Sequence, residues 1–177
     1  MKRFKTLALV LPLLFVGCIL TTGQITIDVP LDAPITIDSG TPFHEEDVDL
    51  NTIDSYNDHK DDLDGLADLA VLGTVTNTGG PDATVTVYIT ADETSYTTVN
   101  QITTNALLLW GPFDVPAGET VTIDWDDSAK LFAPDGKGTV LNEIKGDGMF
   151  TIYVVGGSGN DFVVDPATLV LVVDAGI

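Results

Sequence analysis

From Leu69 to Thr90 the chain reads LAVLGTVTNTGGPDATVTVYIT, in which aliphatic residues alternate with threonine and the pattern breaks once, at Asn77-Thr78-Gly79-Gly80-Pro81. A period of two puts every second side chain on one face, which an extended strand does and a helix does not. The same pattern recurs to the end of the chain. It predicts strands at Leu69 to Thr76, Thr84 to Thr90, Leu107 to Trp110, Thr120 to Trp125, Phe150 to Val155 and Thr168 to Val173. The intervening breaks are turn residues: Pro116-Ala117-Gly118, Pro134-Asp135-Gly136 and Gly156-Gly157-Ser158-Gly159-Asn160. Six to eight short strands at this spacing, in a chain long enough for one core, point to an all-β fold: a two-layer antiparallel β-sandwich.

Helical signals are short and local. Ser55 and Asp58 resemble a capping box ahead of a surface helix near Tyr56 to Leu66. Residues 126 to 146 turn helical, with Asp127 and Thr139 as caps and Gly146 as terminator. Upstream, ITID occurs at Ile25 to Asp28 and again at Ile35 to Asp38, and each copy places two isoleucines on one face of a short strand. Trp110, Trp125, Tyr88, Tyr153, Phe113 and Phe150 read as core or sheet-end packing rather than as an exposed sugar platform.

The segments VLGTVTNTGGPDATVTVYIT and FDVPAGETVTIDW resemble the immunoglobulin-like sandwiches of bacterial surface proteins, including the adhesion-related CARDB type; a LEA14-like sandwich is the alternative. Val75 to Gly79, Val85 to Tyr88 and Pro116 to Ile123 carry the match, within residues 71 to 125, a span of about a third of residues 18 to 177. The resemblance implies an immunoglobulin-like sandwich with short helical insertions and brings no catalytic residue with it.

The amino terminus, MKRFKTLALVLPLLFVGC, sets Lys2, Arg3 and Lys5 ahead of an apolar run from Leu7 to Val16 that is short for a bilayer span. This is the layout of an export signal. Phe15-Val16-Gly17-Cys18 resembles the lipobox of bacterial lipoproteins, in which the cysteine becomes the acylated amino terminus. The resemblance implies cleavage before Cys18, a diacylglycerol on its sulfur and stable anchoring through two or more acyl chains. Ile19 stands where an aspartate would signal inner-membrane retention, so the expected site is the outer membrane. The domains expected are residues 1–17 as signal peptide, 18–47 as lipidated tether with short strands, and 48–177 as the sandwich.

Without residues 1 to 17 the chain keeps four lysines, no arginine and all 27 carboxylates, a formal charge of −23. Such a chain has no basic patch for nucleic acid. Cys18 is the single cysteine, which excludes a disulfide within the chain.

Reactive motifs are incomplete. Ser158 has Gly156 behind it but Asn160 ahead, so it is not a nucleophile elbow. Gly136-Lys137-Gly138-Thr139 lacks the spacing of a phosphate loop and reads as an ordinary loop. His44 and His59 each sit beside carboxylates, in a pattern that does not assemble the three or four donors zinc needs. An EF-hand aligned on Gly65 would put Lys60 first and Val71 twelfth, where acids belong.

Calcium is the one cofactor the carboxylates admit, through a weak site drawn from Glu45, Glu46, Asp47, Asp49 and Asp161, or through Asp58, Asp61, Asp62 and Asp64. Gly156 to Val164 also fits a calcium-repeat signature, but in that architecture each ion sits between adjacent turns, and one copy has no neighbour. It is expected to be a turn that returns Phe162 and Val164 to the core.

These readings converge on a non-catalytic, lipid-anchored envelope protein, a structural or binding module. Its expected partners are the membrane, through the N-terminal lipid, and another envelope protein. The alternative is a calcium-dependent adhesion or surface-assembly module.

Overall fold

A computed structural model describes residues 22–176 except 33, 92 and 93. Among these described residues there are nine strands: β1 (Thr22–Pro30), β2 (Ile35–Ile37), β3 (Phe43–Asp49), β4 (Leu63–Asn77), β5 (Ala83–Thr90), β6 (Leu107–Val115), β7 (Thr120–Ile123), β8 (Met149–Gly156) and β9 (Phe162–Gly176). Four short helices interrupt them: α1 (Asp54–Asn57), α2 (Val99–Asn105), α3 (Trp125–Ala129) and α4 (Pro134–Ile144).

The strands form two antiparallel sheets, β1-β9-β4-β7 with β2 also on β9, and β3-β8-β5-β6. The chain is thus an all-β, two-layer sandwich. Alternation supplies the core: Val85, Val87 and Ile89 of β5 and Phe150, Ile152 and Val154 of β8 are buried in one cluster with Ile27, Leu69, Leu169, Leu171 and Val173 of the facing sheet. Ile27, Ile35 and Ile37 of the ITID echoes join the same core.

Five strands pair as their immunoglobulin counterparts do. β4 lies beside β7 as B lies beside E, and β8, β5 and β6 stand in the order F, C, C′. The outer positions are exchanged. The ninth strand, β9, takes the A position beside β4, while the early strand β3 takes the G position beside β8. The segments that carry the immunoglobulin resemblance fall in and beside β4, β5 and β7, within the part whose pairing is conventional.

Residues 22 to 47, from the stretch 18–47 expected to be a tether with short strands, contribute β1, β2 and most of β3 to the sandwich itself. β1 pairs with β9 over nine residues, from Thr22 opposite Gly176 to Pro30 opposite Thr168. β3 was hidden in the acidic segment. His44, Glu45, Glu46, Asp47 and Asp49 obscure its alternation, yet Val48 is buried and the whole strand pairs with β8. Its charges lie on a strand paired on one side, where they discourage pairing with another chain.

The helical expectations need three corrections. The helix near Tyr56 to Leu66 is only the four residues of α1 and a 3-10 turn at Lys60–Asp62, because β4 begins at Leu63 to match β9. Trp125 opens α3 rather than ending a strand, and Asp124, not Asp127, is the cap, accepting from the Asp127 amide at 2.9 Å. Gly136-Lys137-Gly138-Thr139 lies inside α4, whose start is set by Pro134 in the first turn and not by Thr139. The helix α2 carries no clear apolar period and was not foreseen; Thr98 caps it by accepting from the Gln101 amide.

Asn77, in the Asn-Thr-Gly turn, is only 1% exposed. Its amide donates to the carbonyls of Pro81 and Val115, each at 2.9 Å, and its oxygen accepts from the Gly79 amide at 2.9 Å. One side chain thereby closes the β4–β5 turn and ties it to the end of β6. Asn77→Asp would set a carboxylate against two carbonyl oxygens in a dry site. A loss of about 2–3 kcal/mol is expected, the upper range for a buried group left without its partners. Urea unfolding checks it, and an unchanged midpoint would refute this role for the amide.

Candidate functional site

The expected anchor, Cys18, lies outside the described residues. What the structure gives is its neighbour in the chain: β1 starts at Thr22, already paired with Gly176.

The candidate calcium ligands are held apart. On β3, Glu45, Asp47 and Asp49 alternate with Glu46, so Glu46 points to the opposite face. Glu45 and Asp49 are four residues apart, about 13 Å along an extended strand, whereas the oxygens around one calcium ion lie about 2.3–2.6 Å from it. Each of the four has a local hydrogen bond. Glu45 accepts from the Ser95 hydroxyl at 3.0 Å and Asp47 from the Thr151 hydroxyl at 2.8 Å. Glu46 meets His44 Nε2 at 3.0 Å and accepts from the Asp32 amide at 3.3 Å. Asp49 accepts from the backbone and side-chain amides of Asn51, both at 2.9 Å, and caps the 3-10 turn Leu50–Thr52.

Asp161 is at the other end of the sandwich from Asp49. It precedes Phe162, which pairs with Ile37 and Asn77, whereas Asp49 pairs with Met149 at the start of β8. Asp58, Asp61, Asp62 and Asp64 are exposed around the turn before β4. His44 is on β3, and His59 Nδ1 donates to the Ser55 carbonyl at 3.1 Å. Among the described residues no three of His, Cys, Asp and Glu are grouped so as to hold a metal ion.

The glycine-rich stretch is the β8–β9 turn. Gly157 accepts from the Asn160 amide at 3.1 Å, and Gly159 takes a φ of +79°. Its other glycines answer to packing: a Cβ at Gly156 would lie 2.6 Å from Ile37 Cγ2, and one at Gly157 2.7 Å from Asn160 Nδ2. Phe162 and Val164 return to the core as expected, at 0% and 5% exposure.

A second apolar cluster covers the outer face of the β3-β8-β5-β6 sheet. Ile102 of α2 packs on Tyr153 and Val155 of β8, flanked by Phe43, Tyr88 and Tyr96. The Tyr153 hydroxyl donates to the Thr94 carbonyl, and the rings of Tyr96 and Tyr153 are 5.5 Å apart. Beside this cluster opens a cleft of about 250 Å³, lined in part by Thr94, Tyr96, Leu107 and Thr139. Leu107 is 46% exposed there. Sequence reading missed this region, since Tyr96 and Ser95 fall in a Thr-rich segment with no period to mark it.

Two buried tyrosines give the fold an alkaline limit. Tyr56, 1% exposed, donates to the Ile144 carbonyl at 3.0 Å; burial, then Asp147, Asp49 and Asp61, raise its pKa. Burial is also the main cause of the raised value for Tyr153. The folded state therefore holds these protons more tightly than the unfolded chain does. Their contribution is complete below about pH 10, the unfolded tyrosine value, and is lost as pH rises through the folded values. Melting temperature is expected to fall as pH rises above about 10, and less steeply in Tyr56→Phe; equal slopes would assign the effect elsewhere.

No protein-family model matches the chain, and no curated protein matches it.

Proposed function

We propose that the chain is a lipid-anchored, non-catalytic module of the bacterial envelope, held at the outer membrane and acting as a structural or binding element. The observation that carries this reading is Phe15-Val16-Gly17-Cys18 at the end of an apolar run behind three basic residues. The position of β1 supports it. Four residue steps separate Cys18 from Thr22, a reach of at most about 14 Å, so an anchor at Cys18 would hold the sandwich against the bilayer.

The strand order β4-β7 in one sheet and β8-β5-β6 in the other supports a CARDB-type relationship, in which such sandwiches serve at cell surfaces. The buried polar side chains of Asn77 and Ser128 are engaged in holding backbone together, which fits a scaffold. The partner would be another envelope protein. The charge of −23 on residues 18 to 177 disfavours nucleic acid or an anionic surface.

Cys18→Ser is expected to move the protein from the membrane fraction to the soluble fraction, with loss of fatty-acid labelling. A variant that remains in the membrane fraction after signal cleavage would remove the anchor from this reading.

A further inference from the structure

Strands β1 and β2 share one partner strand, β9, through nine residue pairs for β1 and three for β2. β9 is also an interior strand of its sheet, pairing with β4 along nearly its whole length. Its inward residues are deeply buried: Phe162, Leu169, Leu171 and Val173 are each at most 1% exposed. In chain order it follows every other described strand. The facing sheet has no such dependence, because β3, β8, β5 and β6 pair among themselves, and β4 can pair with β7.

We propose that β9 is a closing strand. Residues 22 to 37, which begin four residues after the acylation site, stay open until β9 has been delivered. As far as Cys18 is concerned this rests on the anchor reading above; the order of pairing does not. Before β9 arrives, Ile27, Ile35 and Ile37 have no ladder to join, and a lone strand gains too little from burial to offset the entropy of ordering it. Export and acylation both need an extended, accessible segment around the cysteine. The topology leaves the segment that follows it, from Thr22 on, unpaired until late, by placing the partner of β1 and β2 after the other described strands.

Hydrogen-exchange pulse labelling of the full chain carrying Cys18→Ser, during refolding from urea, reads the order directly. Residues 22–37 are expected to gain protection in the same phase as 162–176 and not before it. Protection of 22–37 while 162–176 still exchange overturns the proposal, and this measurement needs no destabilised variant.

Leu171→Asp, opposite Ile27 and Leu69, supplies the second arm. Exchange of 22–37 is expected to rise at least tenfold above that of 83–90 and 149–156, while fatty-acid labelling of Cys18 in cells stays at the unsubstituted level. Labelling lost in this variant alone overturns the proposal, because acylation would then need the closed fold. Labelling absent from both chains overturns the anchor reading and the Cys18 half of the proposal with it, and the pairing order then stands or falls on the exchange data.

Discussion

Replacing Trp110 by alanine is expected to lower the free energy of unfolding by about 3–5 kcal/mol, the range for removing a large aromatic side chain from a packed core. Trp110 is 1% exposed, and its ring lies 5.6 Å from that of Phe113. Its indole N–H donates to both the carbonyl and the hydroxyl oxygen of Ser128, at 3.1 Å each. The same hydroxyl oxygen accepts from the Val71 amide at 2.7 Å.

Val71 belongs to β4 in one sheet and Trp110 to β6 in the other, so a single serine on α3 ties the two layers together. Ser128→Ala would leave the Val71 N–H without this acceptor, at a cost of about 1–3 kcal/mol. Trp110→Phe keeps most of the volume and removes the donor. A double-mutant cycle between these two substitutions is expected to give a coupling of about 1 kcal/mol. Urea midpoints measure the four chains of the cycle and Trp110→Ala, and a Trp110→Ala loss below about 1 kcal/mol would sink the account.

Gly136→Ala is the second large effect, and its sign runs against helix propensity. Alanine in a helix interior is favoured over glycine by about 0.8–1.0 kcal/mol. At residue 136, however, a Cβ would lie 2.5 Å from the Leu108 carbonyl oxygen and 2.6 Å from Leu109 Cα, both backbone atoms of β6. Neither can swing aside as a side-chain end can. α4 sits this close because Ala133 donates to the Leu109 carbonyl at 2.9 Å, just before the helix begins. A net loss of about 2–3 kcal/mol is expected, from overpacking less propensity.

Gly138 makes the internal control. It stands two residues later in the same helix, with nothing within 4 Å of where its Cβ would be. Gly138→Ala should therefore stabilise by about 0.5–1 kcal/mol. Thermal melts of the two variants should shift in opposite directions by several degrees. Shifts of the same sign would mean that the contact with β6 does not set the position of α4.

The parts of the fold that were legible in the sequence are those where burial alternates cleanly. β5, with every second residue buried, could be placed within a residue of its true ends. β3 could not, because four of its seven residues are acidic and the sheet, rather than its own side chains, makes it a strand. β9 runs back to Phe162 through Asp165 and Pro166, well before the predicted start at Thr168, and its ladder with β4 shifts register there, between Gly73 and Val75.

The pairing order was beyond reach for a different reason. Alternation states which face of a strand is buried and is silent on its neighbour, so nothing in ITID marks β9 as its partner. Among the site residues, the carboxylates of β3 share a segment in the sequence but are divided between faces by the strand period. Ser128 gave no signal at all, since a lone serine in a short helix looks like any exposed one.

The nine-residue ladder between β1 and β9 also fixes how an anchored molecule would bear load. With Cys18 held and tension applied at Gly176, opposite Thr22, the ladder would peel open one pair after another. Tension applied instead at the far end, through the turns at Gly79 or Ser158, would pull β1 and β9 along their length and strain the nine pairs together. The same sandwich is then weak toward a pull at one pole and strong toward a pull at the other.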